Sequence, residues 1–406
     1  MPVRFSSRLP WQRLTNRFTQ LQAELRGQGV PLLDLVVSNP TRALPELYRE
    51  SLLLPLSSPE ALRYEPSPQG AVAARQAIAD YYQARGLTVS PEHLVLCAST
   101  SEAYSWLFQL LGNPGDGDGD EVLFPEPSYP LLPFLGSLAG VAVVPYPLRF
   151  DGRFHVSFPE LASAVTARSR AVVAVSPNNP TGSYLRQSEG ERLLRLCATR
   201  DLALIVDEVF SDYAFVDPWP QEGPRLLSLA ELPPPLAELP ALRFVLSGFS
   251  KVLGLPQLKL GWIVVCGPEP LRSEAQRRLE LIADTFLSVS TPIQLAAPAL
   301  LKERPQLFAG IAARIQASLT CLQQAFAGTA VSVLPVEGGW YAVLRLPRLI
   351  SEEEWLLRLL TEDHMVVHPG YFFDFPEEAY VVCSLLTPPS DLAEGARRLL
   401  ARLEKL

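Results

Sequence analysis

Short apolar runs alternate with helical stretches through the middle of this 406-residue chain. The apolar runs have the length of buried strands, and the stretches between them are long enough to cross over a sheet. Because strands that alternate with helices pair mainly in parallel, the pattern predicts an α/β fold with a mainly parallel sheet covered on both faces. The predicted strands span residues 93–98, 121–124, 141–147, 171–175, 203–206, 244–247 and 262–266, and the predicted helices span 71–84, 102–111 and 189–200.

The pattern changes near residue 285, and the rest of the chain predicts a second, smaller α/β domain. A long helix, two strands and a last helix are expected in turn, at residues 294–327, 332–335, 340–346 and 391–403. The predicted organisation is an N-terminal arm with part of the small domain (1–45), a large domain (46–284) and the small domain (285–406). The first 23 residues carry arginines and no acid. Transit peptides share this composition, but an arm that belongs to the fold is the preferred interpretation.

Composition argues against several classes of partner. Acidic residues outnumber basic ones by 43 to 35, which leaves a net charge of −8. This charge argues against a nucleic-acid partner, because nucleic acids are themselves negatively charged. No apolar run approaches the ~18–20 residues that a membrane span needs, so no membrane partner is predicted. The five cysteines are scattered along the chain, and no two of them have the close spacing of a metal-binding or disulfide motif. They argue against a disulfide or zinc framework and predict a reducing, cytoplasmic location.

One acidic segment, residues 116–121, resembles the start of a calcium-binding loop. It lacks the glycine that should follow the third acid, and Pro127 stands where the loop requires its last glutamate ligand. We therefore interpret the segment as a solvated turn between a helix and a strand, and no metal site is predicted.

Lysine is scarce in this chain, which makes each lysine informative. The four lysines are Lys251, Lys259, Lys302 and Lys405. Arginine serves equally well as surface charge but does not lose its proton, so a lysine kept here is a candidate amine nucleophile. Two of the four lie in one nine-residue window after the predicted strand 244–247. Two solvated surface lysines are the alternative, and spacing alone does not decide between them.

Polar motifs follow five of the predicted strands. Because the carboxyl ends of parallel strands meet at one edge of the sheet, where ligands bind in such folds, the motifs predict one shared site. Each also has an ordinary structural interpretation, such as a helix cap, a turn or a core tyrosine. The motifs are Ser99-Thr100-Ser101-Glu102, Pro127-Ser128-Tyr129-Pro130, Ser176-Pro177-Asn178-Asn179-Pro180-Thr181-Gly182, Val206-Asp207-Glu208 and Ser247-Gly248-Phe249-Ser250-Lys251.

In order, spacing and position, these motifs resemble those of the class I/II aminotransferases, fold type I enzymes that use pyridoxal phosphate. The resemblance runs from about residue 33 to the C-terminus. It implies that Lys251 carries the cofactor as a Schiff base and later moves a proton on the substrate. It also implies that Asp207 keeps the pyridine nitrogen protonated, that Asn179 donates to the phenolic oxygen and that Tyr129 stacks on the ring.

The same resemblance identifies candidate ligands of the cofactor phosphate. N–H groups and hydroxyls at a helix N-terminus suit a phosphate, and a capping box formed by Ser99 and Glu102 is compatible with that role. Tyr64 aligns with a tyrosine that reaches the phosphate of the neighbouring subunit, which implies a homodimer. The remaining candidates are Ser99, Thr100, Ser101, Ser250 and Lys259.

Three departures from the family pattern concern the cofactor. Lys259 stands where family members usually carry an arginine, which keeps the charge but loses the bidentate fork. Gly248 replaces a frequent serine. Phe210 replaces the tyrosine that bonds the phenolic oxygen, and loss of that donor should raise the pKa of the Schiff base.

A fourth departure concerns the substrate. The family binds the substrate α-carboxylate with an arginine in a strand of the form Tyr-Val-Arg-x-Ser, and here Val382 occupies that position. A carboxylate left without a cation costs several kcal/mol, so either another cation substitutes or the substrate lacks a carboxylate there. Arg42 is the candidate substitute, with a surface arginine as the alternative. Asn39, beside it, and Tyr371, in an aromatic segment, are further candidate substrate contacts.

These observations favour an aminotransferase that moves an amino group between a small amino donor and a keto acid, with atypical substrate recognition. A pyridoxal-phosphate lyase or decarboxylase on the same fold is the alternative, since the first step on the cofactor is shared. A non-catalytic ligand sensor is a third class. It is disfavoured because Lys251 and Asp207 are both present and no DNA-binding segment is recognised.

Overall fold

The computed structural model describes residues 5–9, 16–115, 119–232, 236, 239–287, 289–377 and 379–406. Arg4 and Arg13 of the predicted arm, and residues 116–118 of the acidic turn, lie outside the described residues. Among those described, no helix combines the length and the apolar character needed to cross a bilayer.

The strands are numbered in chain order. They are β1 (Leu33–Asp34), β2 (Leu94–Cys97), β3 (Glu121–Glu126), β4 (Ala142–Phe150), β5 (Phe154–Val156), β6 (Ser169–Val175), β7 (Ala203–Asp207), β8 (Arg243–Gly248), β9 (Gly261–Cys266), β10 (Ser332–Val333), β11 (Tyr341–Arg345), β12 (Met365–Val366), β13 (His368–Pro369) and β14 (Tyr380–Ser384).

The α-helices are numbered likewise. They are α1 (Arg17–Gly27), α2 (Pro40–Ala43), α3 (Val72–Gln83), α4 (Thr100–Leu111), α5 (Leu132–Ala139), α6 (Phe158–Ala164), α7 (Gln187–Thr199), α8 (Phe249–Val252), α9 (Leu271–Thr285), α10 (Thr291–Lys302), α11 (Arg304–Phe326), α12 (Glu352–Thr361) and α13 (Pro389–Leu403).

Eight strands form the large sheet in the order β2-β9-β8-β7-β6-β3-β4-β5. The pairs within β8-β7-β6-β3-β4 are parallel, so the predicted mainly parallel sheet is confirmed. β9 is antiparallel to both its neighbours. The chain between β8 and β9 contains only the short α8 and a turn, so it reverses direction instead of crossing over through a long helix.

Both faces of this sheet are buried, as its continuous apolar runs predict. Alternate residues of one strand enter different hydrophobic clusters: Leu204 and Val206 join one cluster, while Ala203 and Ile205 join the other. The period-two alternation of a strand explains that division. The helices α3, α7 and α10 contribute to the first cluster, and α4 and α9 to the second.

The smaller sheet is antiparallel, in the order β10-β11-β14-β13, and packs with α11, α12 and α13 around a third hydrophobic cluster. The N-terminal strand β1 pairs with β12, with Leu33 opposite Met365. The segment after β1 is also held there, because Ser384 donates hydrogen bonds to the carbonyls of Leu35 (2.8 Å) and Val37 (2.6 Å). Residues on either side of position 36 therefore lie against the C-terminal part of the chain.

The single helix predicted over 294–327 is wrong: two helices, α10 and α11, occupy this region and meet at Glu303. Pro305 lies in the first turn of α11. Proline has no N–H to donate and its ring clashes with the preceding turn, so a continuous helix cannot pass this position undistorted. The first turn of a new helix tolerates proline, since its N–H would have no partner there.

Candidate active site

A cavity of about 630 Å³ lies where the polar strand ends of the large sheet face the smaller sheet. The structure brings nine of the predicted site residues to its lining: Ser99, Thr100, Ser101, Tyr129, Asn179, Asp207, Ser250, Lys251 and Lys259. Their convergence follows from the parallel order of β3, β6, β7 and β8, which brings loops distant in sequence to one edge.

Lys251 lies in the single turn α8, immediately after β8. Its Nζ is 4.5 Å from the ring centroid of Trp340 and 4.9 Å from that of Phe210. Burial lowers the pKa of Lys251 to about 8, against the opposing effect of the Asp207 carboxylate. The Tyr213 hydroxyl donates to the Lys251 carbonyl at 2.7 Å and so steadies the turn. A buried amine with a lowered pKa is suited to act as a nucleophile near neutral pH.

Asp207 is the last residue of β7 and its carboxylate is held from two sides. Oδ2 accepts a hydrogen bond from the Tyr104 hydroxyl at 3.2 Å, and Oδ1 accepts from the Val209 N–H at 3.0 Å. Burial raises the pKa of Asp207 to about 6, while these two donors and Lys251 act in the opposite direction. A fixed, buried carboxylate of this kind is stabilised most by a positively charged N–H group, which offsets the loss of hydration. Its neighbour Glu208 is bonded to Ser228 and Leu229, as a structural residue would be.

Ser99 caps the N-terminus of α4, but the second bond of the predicted capping box runs from the Ala98 N–H and not from the Ser99 N–H. Ser99 Oγ accepts from the Glu102 N–H at 3.2 Å, and Glu102 Oε2 accepts from the Ala98 N–H at 2.5 Å. The cap leaves Thr100 and Ser101 lining the cavity at the positive end of the helix dipole. Ser250 and Lys259 line the same cavity, so hydroxyls, helix N–H groups and one ammonium are available to an anion such as phosphate.

Asn179 supplies a buried polar atom without a protein partner. Its Oδ1 makes no hydrogen bond within the described residues, although the residue lines the cavity. The neighbouring Asn178 differs, because its Nδ2 donates to the Pro127 carbonyl and to Thr181 Oγ1. Gly182 closes this loop with φ of +69°, and a Cβ there would meet the Gly338 carbonyl oxygen at 2.5 Å. The loop therefore presents one fixed amide to a ligand.

Several cavity residues were not found from the sequence. Tyr104 lies one helical turn after Thr100, so helix periodicity offered a signal that it shares the cavity. The others lie on the side of the smaller sheet, and no local motif marks them as neighbours of Lys251. They are Ser38, Trp340, Tyr341 and His368, with Trp340 placed by its contact with Lys251.

Other predicted residues lie outside the cavity lining. Tyr64 is 78% exposed. Arg42 is exposed too, because Pro40 is the buried residue of the one-turn helix α2 and a residue two positions later faces away from it. Asn39 caps α2, its Oδ1 accepting from the Thr41 N–H at 3.1 Å. Tyr371 is 41% exposed, whereas Phe372 and Phe373 beside it line the cavity.

Val382 is fully buried in the hydrophobic cluster that also contains Phe373, Phe375 and Tyr380. On β14 it lies opposite Val343 of β11 on one side and His368 of β13 on the other. The position that carries the arginine in the resembled pattern is therefore occupied by an apolar side chain with apolar neighbours, behind the wall of the cavity.

Comparison with known proteins agrees with this geometry. Residues 31–399 match the family described as aminotransferase class I and II. The chain belongs to this family. It is 27% identical over 405 residues to the arginine–pyruvate transaminase of Pseudomonas aeruginosa, covering 94% of this chain and 97% of that protein. It is 26% identical over 395 residues to an alanine aminotransferase of Mycobacterium tuberculosis, covering 94% and 87%.

Solved structures share the fold of this aminotransferase. An aminotransferase from Escherichia coli superimposes with a TM-score of 0.84 at 22% identity, covering 100% of this chain and 99% of that one. An alanine aminotransferase from Pyrococcus furiosus gives a TM-score of 0.83 at 21% identity, covering 99% and 100%. The protein is thus an enzyme of the aminotransferase class, and members of its family depend on pyridoxal phosphate.

The described residues fit that cofactor. The unpartnered Oδ1 of Asn179, the buried carboxylate of Asp207 and the amine of Lys251 supply a polar contact, an anion and a nucleophile in one cavity. When bound, pyridoxal phosphate supplies an electron sink for the α-carbon of the substrate. With the cofactor bound, the Asp207 carboxylate would hold a proton at the ring nitrogen, and Lys251 Nζ would accept a proton from the substrate and return it.

Proposed function

We propose that this aminotransferase takes amino donors with an apolar side chain and binds them without a cation at position 382. The observation that carries the proposal is the burial of Val382 among Phe373, Phe375 and Tyr380. A carboxylate bound in this part of the cavity would meet no cation from position 382, and losing its hydration without gaining a partner would cost several kcal/mol.

The aromatic character of this wall supports an apolar donor. Tyr341, Phe372 and Phe373 line the cavity on the side of the smaller sheet, and Phe210 lies 6.3 Å from Tyr341, centroid to centroid. Aromatic side chains bury large areas and pack edge-to-face against rings or aliphatic groups. The acceptor is a keto acid. Pyruvate, which the name of the Pseudomonas aeruginosa relative contains, is the first acceptor to test.

A half-reaction experiment tests the proposal. The holoenzyme is mixed with phenylalanine, leucine, alanine or aspartate, and conversion of the cofactor from its aldehyde to its amine form is followed by visible absorbance. We expect the two large apolar donors to react at least about tenfold faster than aspartate, a difference of ~1.4 kcal/mol. Faster reaction with aspartate would contradict the proposal.

Adding pyruvate afterwards separates transamination from lyase or decarboxylase chemistry. An aminotransferase must regain the aldehyde form and release alanine, because the amino group is returned to the keto acid. Irreversible loss of carbon dioxide, or of a side-chain fragment, without alanine formation would favour the alternative.

We propose that the active form is a homodimer to which Tyr64 contributes across the interface. Its ring is 78% exposed and lies outside the cavity of its own chain. Exposed apolar side chains surround it in sequence, with Leu62 92%, Leu54 71% and Val72 68% exposed, and large apolar groups of this kind favour burial against a partner. Light scattering should give about twice the chain mass of 44.7 kDa. Tyr64→Phe should weaken cofactor retention in a dimer of unchanged mass, whereas a fully loaded monomer would contradict the assignment.

We propose a cytoplasmic location. All five cysteines are free, and four of them are buried. Unpaired thiols are typical of proteins kept in a reducing compartment. Cell fractionation with an antibody against the native chain tests this, and recovery with a membrane or secreted fraction would contradict it.

A further inference from the structure

Among the described residues, three side chains that line the cavity can carry a positive charge: Lys251, Lys259 and His368. Lys251 is the reactive amine. Lys259 belongs to the turn between β8 and β9 and accompanies the hydroxyls expected to hold the phosphate. His368 alone lies on the side of the smaller sheet, where the donor must bind if the cofactor occupies the strand ends of the large sheet.

His368 stands one strand away from the position that lacks its arginine. β13 and β14 are antiparallel, and His368 lies directly opposite Val382. Directly opposed residues of an antiparallel pair project to the same face, with Cβ atoms roughly 4.5–5.5 Å apart. A basic side chain at position 368 of β13 can therefore reach the same part of the cavity as a basic side chain at position 382 of β14.

The imidazole is placed by its ring neighbours and keeps its nitrogen atoms available. It packs against Phe372 and Phe373, with centroids 6.1 and 6.0 Å away. Within the part of the chain that the structure describes, neither ring nitrogen makes a hydrogen bond to a protein group. A second polar side chain is close to this wall, because Ser38 lines the cavity together with Tyr341.

We propose that His368 binds the α-carboxylate of the amino donor and of the keto acid, in place of the arginine absent at position 382. This assignment rests on the proposed function, since it presumes a donor with a carboxylate and an apolar side chain. Arg42, the other candidate cation, has an exposed side chain outside the cavity lining. Val382 lies opposite His368 in the strand register and belongs to the hydrophobic cluster that contains Phe373 and Phe375.

A histidine in this role makes substrate binding depend on pH, unlike an arginine. Burial lowers the pKa of His368, with the negative charge of Asp34 acting in the opposite direction. The imidazole is therefore mostly neutral near pH 7 in the free enzyme, and a bound carboxylate would raise its pKa and draw in a proton. Affinity for a carboxylate should rise as the pH falls through the pKa of the complex, and level off below the pKa of the free enzyme.

Other titratable groups surround β13 and could contribute to such a dependence. Asp34 on β1 acts on His368 by its charge. The elements packed against β13 carry Tyr380 and Cys383 on β14, Tyr371 in the following turn, and Glu352, Glu353, Glu354 and Arg358 on α12. The cavity adds Tyr104, Tyr129, Asp207, Lys251, Lys259 and Tyr341. The test must therefore isolate the part of the pH dependence of carboxylate binding that is lost when His368 is replaced.

Binding of two matched, unreactive probes to the holoenzyme gives that separation. 3-Phenylpropionate carries a carboxylate and 3-phenylpropionamide carries a neutral amide on the same apolar group, and neither has an amine to react. Calorimetric titration at several pH values from about 6 to 8, in buffers of different ionisation enthalpy, measures affinity and proton uptake together. We expect the wild-type enzyme to bind the carboxylate with net proton uptake, and more tightly at the lower pH.

Three variants define the outcome. His368→Gln should lose about tenfold or more in carboxylate affinity near pH 6, together with the extra proton uptake, and should bind the amide as before. His368→Arg should restore carboxylate affinity without the dependence on pH. His155→Gln, a histidine of β5 that does not line this cavity, should behave as the wild-type enzyme.

Two results would overturn the assignment. Equal weakening of both probes in His368→Gln would show a packing role, and unchanged carboxylate preference would show that another group holds the anion. The donor experiment keeps the two proposals apart. If apolar donors react as expected but His368→Gln binds the carboxylate normally, only the role of His368 is wrong. If aspartate reacts faster than the apolar donors, the proposed function is wrong whatever the probes show.

Discussion

The two walls of the cavity differ in chemistry. The wall from the large sheet presents hydroxyls, an amide, a carboxylate and two ammonium groups, through residues such as Thr100, Asn179, Asp207 and Lys251. The wall from the smaller sheet and the N-terminal segment presents aromatic rings, with Ser38 and His368 as its other polar members. The first wall carries the residues expected from the resemblance to bind the cofactor, and on the second wall Val382 stands where the resemblance implies an arginine that binds the substrate carboxylate.

This difference follows from how the two walls are built. Side chains at the ends of parallel strands converge whatever lies opposite them, so the cofactor set depends on one sheet. The substrate wall depends on a separate antiparallel sheet, in which one position can change without disturbing the strand ends. Substrate recognition can therefore diverge while the chemistry of the cofactor is kept.

The largest effect is expected at the cofactor wall, for Lys251→Ala. Loss of the amine should reduce kcat/KM by at least ~1,000-fold, about 4 kcal/mol, because both the nucleophile and the proton carrier are removed. Borohydride reduction followed by peptide mass analysis should label Lys251 in the wild-type enzyme and no lysine in the variant. Lys302→Ala, an exposed lysine at the end of α10, is the control. A label on another lysine in the wild-type enzyme would falsify the assignment.

Asp207→Asn should have the next largest effect, a loss of about 100-fold or more in kcat. An amide cannot hold the pyridine nitrogen protonated, so the cofactor loses its capacity to withdraw electrons. Circular dichroism and Tm should show an unchanged fold. Tyr104→Phe, which removes only the 3.2 Å hydrogen bond to Oδ2, should cost less. Retention of more than about a tenth of the activity in Asp207→Asn, a loss under ~1.4 kcal/mol, would contradict its role.

At the substrate wall, Val382→Arg should introduce the cation that the family pattern has at this position. We expect kcat/KM for ordinary α-amino acid donors to rise roughly tenfold, while the larger side chain in a packed cluster lowers stability by about 1–3 kcal/mol. Val382→Leu should lower stability less and leave donor preference unchanged. If the unmodified enzyme already turns over aspartate at about 10 s⁻¹ or more, the altered recognition is wrong.

The smallest effect is expected for Phe210→Tyr. A hydroxyl here adds the donor to the phenolic oxygen that the family pattern contains, so the pH at which the visible absorbance of the holoenzyme changes should fall by about one unit, ~1.4 kcal/mol. Phe372→Tyr makes the same chemical change on the opposite wall and should leave the absorbance unchanged. Equal shifts of this pH in Phe210→Tyr and Phe372→Tyr would show that a hydroxyl on either wall affects the cofactor alike, and would contradict the separate roles of the two walls.

Much of the fold was predictable because the relevant signals are local. Continuous apolar runs identified strands buried on both faces, and strand-to-helix alternation identified their parallel order. The polar motifs after those strands placed nine site residues in one cavity, since each loop's position follows from its own strand. The break between α10 and α11 was missed although Pro305 signalled it, because the apolar period continues on both sides.

The substrate wall was decided by the tertiary structure. Trp340, Tyr341 and His368 reach the cavity through the order of the smaller sheet and the register between β13 and β14, which pairs His368 with Val382. No local sequence pattern predicts that pairing, because it depends on how the strands align in the folded sheet. The sequence by itself, through its resemblance to the family pattern, predicted that the usual arginine is replaced by Val382. Only the fold shows which basic side chain lies beside the gap, since a side chain's neighbours across a sheet are set by strand register.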